Sequence, residues 1–382
     1  MPRVTMEYEI VKYSPELRIH VAKLRKHLDS PDAALNAAYL EWKYDRNPYM
    51  DTPLIYLAFC EGKVVGMRGM YGAKWQVGDP GQTFIGPCGG DLVIAPDHRN
   101  RGVATRIMEV ALNDLGTKGY TYVFSLSAGL TTYLGSLMMG WRSVGPVQTA
   151  CRRSRGKIVS SPIRKYAHRL PFLPPAKNRH PFDSLDKNGA LRQGEGGTNV
   201  AIEQTPRPEA MAELVERIGN DGRMRHVRDR QYFAWRFQNP LSVYRFLFWE
   251  GARLEGYLVL RTSVYPHRLA EGVSIADWEA TNPQVRADLL HAAIQWGDFD
   301  ELTIWSATLP VEAKTVLRST GFEFLEEAKS MGRSYRAGTN RSTVLVRPVR
   351  ENMLKATDWV LADRRLLSLG DWDLRMIYSD SF

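Results

Sequence analysis

Arg99, Arg101, Gly102 and Ala104 stand close together just after an apolar, partly β-branched run, Leu92-Val93-Ile94, which Pro96 and Asp97 bring to an end. From Val103 the apolar residues Ala104, Ile107, Met108, Ala111, Leu112 and Leu115 recur at helical spacing, so the basic loop opens a helix. A helix N-terminus carries unpaired N–H groups and a partial positive charge, which together attract anions. Gly102 leaves bare backbone at the point of closest approach, Ala104 keeps the first turn narrow, and Arg99 and Arg101 add charge. The arrangement is a cradle for an anion the size of pyrophosphate. It is neither the phosphate loop G-x-x-x-x-G-K-[ST] nor the dinucleotide fingerprint G-x-G-x-x-G.

Arg99-x-x-Gly102-x-Ala104, with a strand before it, an amphipathic helix after it and Gly140-Trp141 further on, resembles the acyl-coenzyme A signature of the GNAT superfamily of N-acyltransferases. The resemblance implies direct transfer of an acyl group from acyl-coenzyme A to a primary amine, without a covalent enzyme intermediate; the eight scattered histidines form no H-E-x-x-H or similar pair, so no metal site is expected. The resemblance assigns Arg99, Asn100, Arg101, Gly102, Val103, Ala104 and Thr105 to the pyrophosphate. The N–H groups of Val93 or Ile94, on a bulged strand, are assigned to the pantetheine arm and the thioester carbonyl. Asp91 is the only carboxylate on that strand, and Gly89-Gly90 leave room beside it, so it is the candidate base; an edge or turn aspartate is the alternative. Relatives often place a tyrosine four residues before the Gly-Phe pair to protonate the thiolate. Ser136 stands there in this chain, with Tyr133 about one turn earlier, and the acid stays open between them.

The elements that must position these groups read as a mixed α/β layer. Asp32 opens a helix after Ser30-Pro31, Pro53 to Phe59 and Lys63 to Tyr71 are strands joined by Glu61-Gly62, and Tyr122 to Leu126 is a further strand. The pattern returns later in the chain. Tyr232 to Pro240 echoes Tyr39 to Pro48, Glu250-Gly251 echoes Glu61-Gly62, and Thr320-Gly321-Phe322 echoes Met139-Gly140-Trp141. The expected fold is therefore α/β: two tandem GNAT-like units, each a mixed, mostly antiparallel sheet flanked by helices. Residues 1–150 form the acyl-coenzyme A unit, 151–200 a basic linker rich in Pro and Gly, and 201–382 a degenerate unit. In the second copy the phosphate region reads Thr281-Asn282-Pro283-Gln284-Val285-Arg286-Ala287-Asp288. A side chain in place of the glycine, and acidic Asp288, are expected to exclude the cofactor there. Trp42 and Trp235 recur in both halves and read as packing. Asp371 and Asp373 read as a loop cap.

The 382 residues, 44% hydrophobic and 24% charged, suit a globular protein, and no run is long enough for a membrane span. The early residues have no apolar signal core, so a cytoplasmic location is expected. Three cysteines, Cys60, Cys88 and Cys151, have neither metal-ligand nor redox spacing and read as small buried hydrophobes. The formal charge is +9. Between residues 151 and 180 cations alternate with apolar and aromatic residues and no acid intervenes. That composition suits either a solvated linker or an anionic membrane surface, which places the protein at the inner face of a membrane, and it lacks any nucleic-acid-binding motif. The acceptor is expected to be an amine on a lipid, in the manner of ceramide-forming enzymes, or on a cell-envelope precursor or amino sugar. A non-catalytic acyl-coenzyme A sensor is the reading from a different class.

Overall fold

The computed structural model describes residues 6–28, 30–154, 180–194, 199–264, 272–330, 342–350 and 355–379. The N-terminal half supplies β1 (Glu9–Lys12), β2 (Leu54–Cys60), β3 (Lys63–Val77), β4 (Gln82–Ile94), β5 (Tyr122–Ala128), β6 (Arg142–Pro146) and β7 (Thr149–Arg153). The C-terminal half supplies β8 (Val200–Glu203), β9 (Arg225–His226), β10 (Ser242–Glu250), β11 (Leu254–Ser263), β12 (Val273–Ala280), β13 (Glu301–Trp305), β14 (Glu323–Phe324) and β15 (Thr343–Pro348). Four helices frame the first unit: α1 (Arg18–Leu24), α2 (Ala33–Leu40), α3 (Val103–Thr117) and α4 (Leu130–Met138).

Local chemistry explains the elements that were legible. Asp32 caps α2, its carboxylate accepting from the Ala34 and Leu35 N–H groups. Glu61 and Gly62 both take positive φ between β2 and β3, the backbone that a two-residue hairpin turn needs. Val103, Ile107, Met108, Ala111, Leu112 and Leu115 form the buried stripe of α3. Gly140 and Gly321 take the same left-handed φ, 84° and 85°, at the ends of α4 and of helix Val311–Ser319. Trp141 and Phe322 then donate back to Ser136 and Leu317 in matching bonds of 3.1 and 3.0 Å.

The order of the first sheet is β1-β2-β3-β4-β5-β15-β6, and that of the second is β8-β10-β11-β12-β13-β7-β14. The two orders match place by place, yet the sixth place in each is filled from the other half of the chain. β15 pairs antiparallel with both β5 and β6, and its Val344, Leu345 and Val346 are fully buried, as a strand covered on both faces requires. β7 pairs with β13 and β14 through Ala150 and Cys151. The stretch read as linker thus contains a strand, and a helix at Asp183–Gly194 preceded by buried Phe182. The basic residues from 155 to 179 lie outside the described residues.

The inner faces of both sheets share one large core, whereas α3 and helix Pro283–Trp296 each cover an outer face. Trp42 and Trp235 meet in the shared core, stacked at 5.2 Å with planes 14° apart. Each indole N–H donates to the other residue's carbonyl, at 2.8 and 2.9 Å. This reciprocity supports the packing role expected from their repetition, and the stack adds about 1 kcal/mol beyond the area it buries. All three cysteines are buried and free.

Because each sheet lacks an internal strand without the other half, a chain nicked between Ser154 and His180 is expected to stay associated on gel filtration. Either piece expressed alone is expected to be unfolded by circular dichroism. A stably folded N-terminal piece would contradict the exchange.

Candidate functional site: an anion cradle beside a parted sheet

The cradle begins where β4 ends. Pro96–His98 make a short 3-10 turn, Asn100 and Gly102 both take positive φ (59° and 74°), and α3 starts at Val103 with Gly102 as its cap residue. No side chain caps α3, and Arg106 N–H donates to Gly102 O at 3.1 Å. The N–H groups of Val103, Ala104 and Thr105 are therefore the first-turn donors of this helix. A Cβ built on Gly102 meets nothing within 4 Å, so the space in front of the helix is open. Arg99 and Arg101 use their Nε to bind the carbonyls of Ile94 and Asp97, at 3.0 and 3.1 Å, which ties both exposed side chains to the loop. The residues present fit a pyrophosphate.

β4 and β5 run parallel and are in register at Cys88 and Phe124; toward their ends they part. On its other side β4 pairs antiparallel with β3, and Ala95 N–H donates to Val65 O. In an antiparallel ladder the backbone groups of successive residues point to opposite sides. Val93, two places before Ala95, therefore turns its N–H toward β3, while Leu92 and Ile94 turn theirs toward the opening. The expectation for Ile94 fits this geometry. Val93 does not fit, because its N–H faces β3, and Leu92 was missed because letters alone do not reveal strand parity.

Two residues, Gly90 and Asp91, lie opposite the single Gly69, which makes a bulge in β4. Asp91 does not stand free beside these glycines. Its Oδ2 accepts from the Tyr44 hydroxyl at 2.7 Å and lies 2.7 Å from Arg25 and 3.3 Å from Lys43. All four side chains are buried. Burial alone would raise the pKa of this carboxyl, but Arg25 and Lys43 outweigh it and hold it well below the usual carboxylate range. A carboxylate held in this way is a weak proton acceptor, which counts against the role expected of it. The letters gave no warning, because Arg25, Lys43 and Tyr44 are remote in sequence. Ser136 is buried on α4, and Tyr133 is partly buried against the core that α3 covers.

The second unit repeats this geometry with its cleft filled. Thr281 N–H donates to Glu255 O as Ala95 N–H does to Val65 O, but the following helix starts almost at once, with Pro283 in its first turn and the Asn282 side chain accepting from Val285 N–H. Arg286 and Arg375 both donate to Trp278 O, at 3.1 and 3.0 Å, across the edge that is open in the first unit. Asp277, Glu279 and Asp373 pair with Arg228 and Arg375 around them. The carboxylate of Asp288, expected to repel an anion there, accepts from Trp249 and Gln284. Asp371 accepts from Arg365 N–H, as a loop cap does, whereas Asp373 is a buried partner of Arg375.

Residues 28–138 match the sequence model of the family described as Acetyltransferase (GNAT) domain. The chain carries a GNAT acetyltransferase domain. Two solved structures share its architecture over 90% of its length. A GCN5-related N-acetyltransferase from Anabaena variabilis has a TM-score of 0.55 at 13% identity, with 73% of that chain covered. A conserved protein of Enterococcus faecalis, described as a probable N-acyltransferase, has a TM-score of 0.58 at 11% identity, again with 73% covered. At these identities the likeness shows the fold alone. No curated protein sequence matches the chain. Among the described residues, no group of His, Cys, Asp or Glu could hold a metal, and no helix is long and apolar enough to cross a membrane.

The segment after Trp372 runs from the filled cleft to the GNAT unit. Tyr71 donates to Tyr378 O at 2.7 Å, and Ser127 and Ser379 share a 2.8 Å bond. Next to it His226 is stacked on Tyr378 at 4.3 Å and meets the edge of Trp75 at 4.3 Å, with neither ring nitrogen hydrogen-bonded among the described residues. Burial, reinforced by Arg236 and Arg228, pushes the His226 pKa well below its ordinary 6.5. The native state therefore keeps this ring neutral, and the unfolded chain takes up a proton that the native state does not. Stability is full above about pH 6.5 and falls below it, by up to about 1.4 kcal/mol per pH unit. Urea midpoints taken at neutral and mildly acid pH are expected to show this loss, and His226→Phe is expected to reduce it. Equal losses in both proteins would contradict the assignment.

Proposed function

We propose that this chain is an acyl-coenzyme A-dependent N-acyltransferase whose first unit binds the donor and acylates a primary amine. The observation that carries the proposal is the uncapped, glycine-started N-terminus of α3 standing beside the parted edges of β4 and β5. Val103, Ala104 and Thr105, with Arg99 and Arg101, would hold the pyrophosphate. Leu92 and Ile94 N–H groups would bind the pantetheine arm and stabilise the charge that grows on the carbonyl oxygen. Acyl-coenzyme A supplies an activated thioester, so the protein's task is to orient it and exclude competing water.

We read the acceptor as a lipid amine, a sphingoid base or a cell-envelope precursor. Support comes from α4, which contains no charged residue and starts just past the end of β5. It turns Leu130, Leu134, Leu137 and Met138 to solvent, with Leu130 and Met138 exposed by 68% and 91%. An alkyl chain or bilayer surface covering such a face gains roughly 25 cal/mol per Å². The cations between residues 151 and 180 suit an anionic surface.

Calorimetry with palmitoyl- and acetyl-coenzyme A tests both parts. Palmitoyl-coenzyme A, kept below its micelle range, is expected to bind the tighter of the two. Gly102→Glu is expected to weaken both at least about 100-fold, close to 3 kcal/mol, because it forces a side chain into a left-handed position and puts a carboxylate at the helix N-terminus. Unchanged affinity in Gly102→Glu would remove the site. Equal binding of the two thioesters, with turnover of small polar amines, would replace the lipid acceptor.

A further inference from the structure

We propose that Asp91 is a positioning residue: it holds the β4 bulge that aims the Leu92 and Ile94 N–H groups into the opening, and it does not accept the proton of the amine. The inference rests on the acyl-transfer reading above.

Two hydrogen-bond donors, Tyr44 and Lys43, and the Arg25 cation converge on one oxygen of Asp91 from the helical region before β2. Arg25 lies just after α1, and Lys43 and Tyr44 lie in the wide helical turn Glu41–Asp45 that follows α2. They also press on the backbone of the bulge. A Cβ on Gly69 would collide with the Tyr44 hydroxyl, and one on Gly90 with Lys43 Nζ. Arg68 completes the clamp from β3, donating to Gly90 O at 3.1 Å. The bulge is thus gripped through its aspartate on one side and through its carbonyl on the other, with Oδ2 of the aspartate held by Tyr44, Lys43 and Arg25.

The second unit serves as an internal control. Gly66 pairs with Ile94 in the first sheet and Gly256 with Ala280 in the second, so Asp91 and Asp277, each three residues before the paired position, are equivalent. Asp277 also lies at a register shift, between its own pairing with Val259 and that of Ile275 with Leu260. It receives a tyrosine hydroxyl at 2.7 Å and an arginine at 3.0 Å. Those partners are Tyr257, on β11, and Arg228, just after β9. The same two partner types therefore reach the same strand position from different elements. With Arg286 and Arg375 across its cleft, the second unit has no use for a base, yet it retains the aspartate, its clamp and the bulge. Backbone shape is the need that both units share.

Asp91→Asn would remove the carboxylate charge that buried Arg25 and Lys43 face and is expected to fold poorly. The deciding variant is Tyr44→Phe, which keeps the ring and the ion pairs. With an amine that the wild-type enzyme acylates, kcat is expected to fall by on the order of 10- to 100-fold, as for a misplaced reacting group. The KM for acyl-coenzyme A and the shape of the pH profile are expected to stay unchanged. A new acid limb in the profile would mean that a base had lost a hydrogen bond and become easier to protonate, and would overturn the proposal. So would unchanged kcat with only a lower melting temperature. If the wild-type protein binds acyl-coenzyme A but acylates no amine, the acyl-transfer reading fails before any variant is made, and the positioning role falls with it.

Discussion

The exchange of one internal strand between two equivalent sheets is the constraint from which the rest of this molecule follows. β15 sits between β5 and β6, and β7 between β13 and β14, so neither sheet is continuous without the other half of the chain. Backbone donors and acceptors in the middle of a sheet are costly to leave unpaired. The two units are therefore one folding body. The shared core, and the Trp42–Trp235 pair whose indoles bond each other's carbonyls, lie where this exchange brings the inner faces together. The segment from Trp372 to Ser379 then threads between both clefts, its Arg375 filling one and its Tyr378 reaching the wall of the other.

From this near-symmetric frame two clefts of opposite character arise. In the GNAT unit a loop of left-handed residues separates β4 from α3 and leaves the helix start uncapped, so donors and positive charge face open space. In the second unit the loop is absent, Asn282 caps the helix, and Arg286 and Arg375 occupy the strand edge. The buried charges there are balanced among Arg228, Arg286, Arg375, Asp277, Glu279 and Asp373, and burial of such a set is tolerable only when each charge keeps its partner. The filled cleft is a structural joint, and the open one is where acyl transfer is proposed.

What could be read from the letters was local. The Arg99 to Ala104 loop, the buried stripe of α3, the Asp32 cap and the paired turns at Gly140 and Gly321 each depend on neighbours a few residues away. The strand exchange could not be read, because β7 and β15 are five- and six-residue runs whose partners are chosen by long-range pairing. The surroundings of Asp91 escaped for the same reason: the glycines before it looked like room for a substrate and are instead room for Lys43 and Arg68. Val93 or Ile94 was expected to supply the donor, and strand parity turns the N–H of Ile94, with that of Leu92, toward the opening and that of Val93 away from it. The closing of the second cleft was expected from a missing glycine, whereas its main agents are Arg286 and Arg375, the latter far along the chain.

The stoichiometry of acyl-coenzyme A binding to the intact chain, read in a calorimetric titration, decides whether one cleft is open and the other filled. One site per chain is expected. Two sites would show that the Arg286 and Arg375 closure does not exclude the ligand, and no binding would show that the cradle at α3 is not a coenzyme A site.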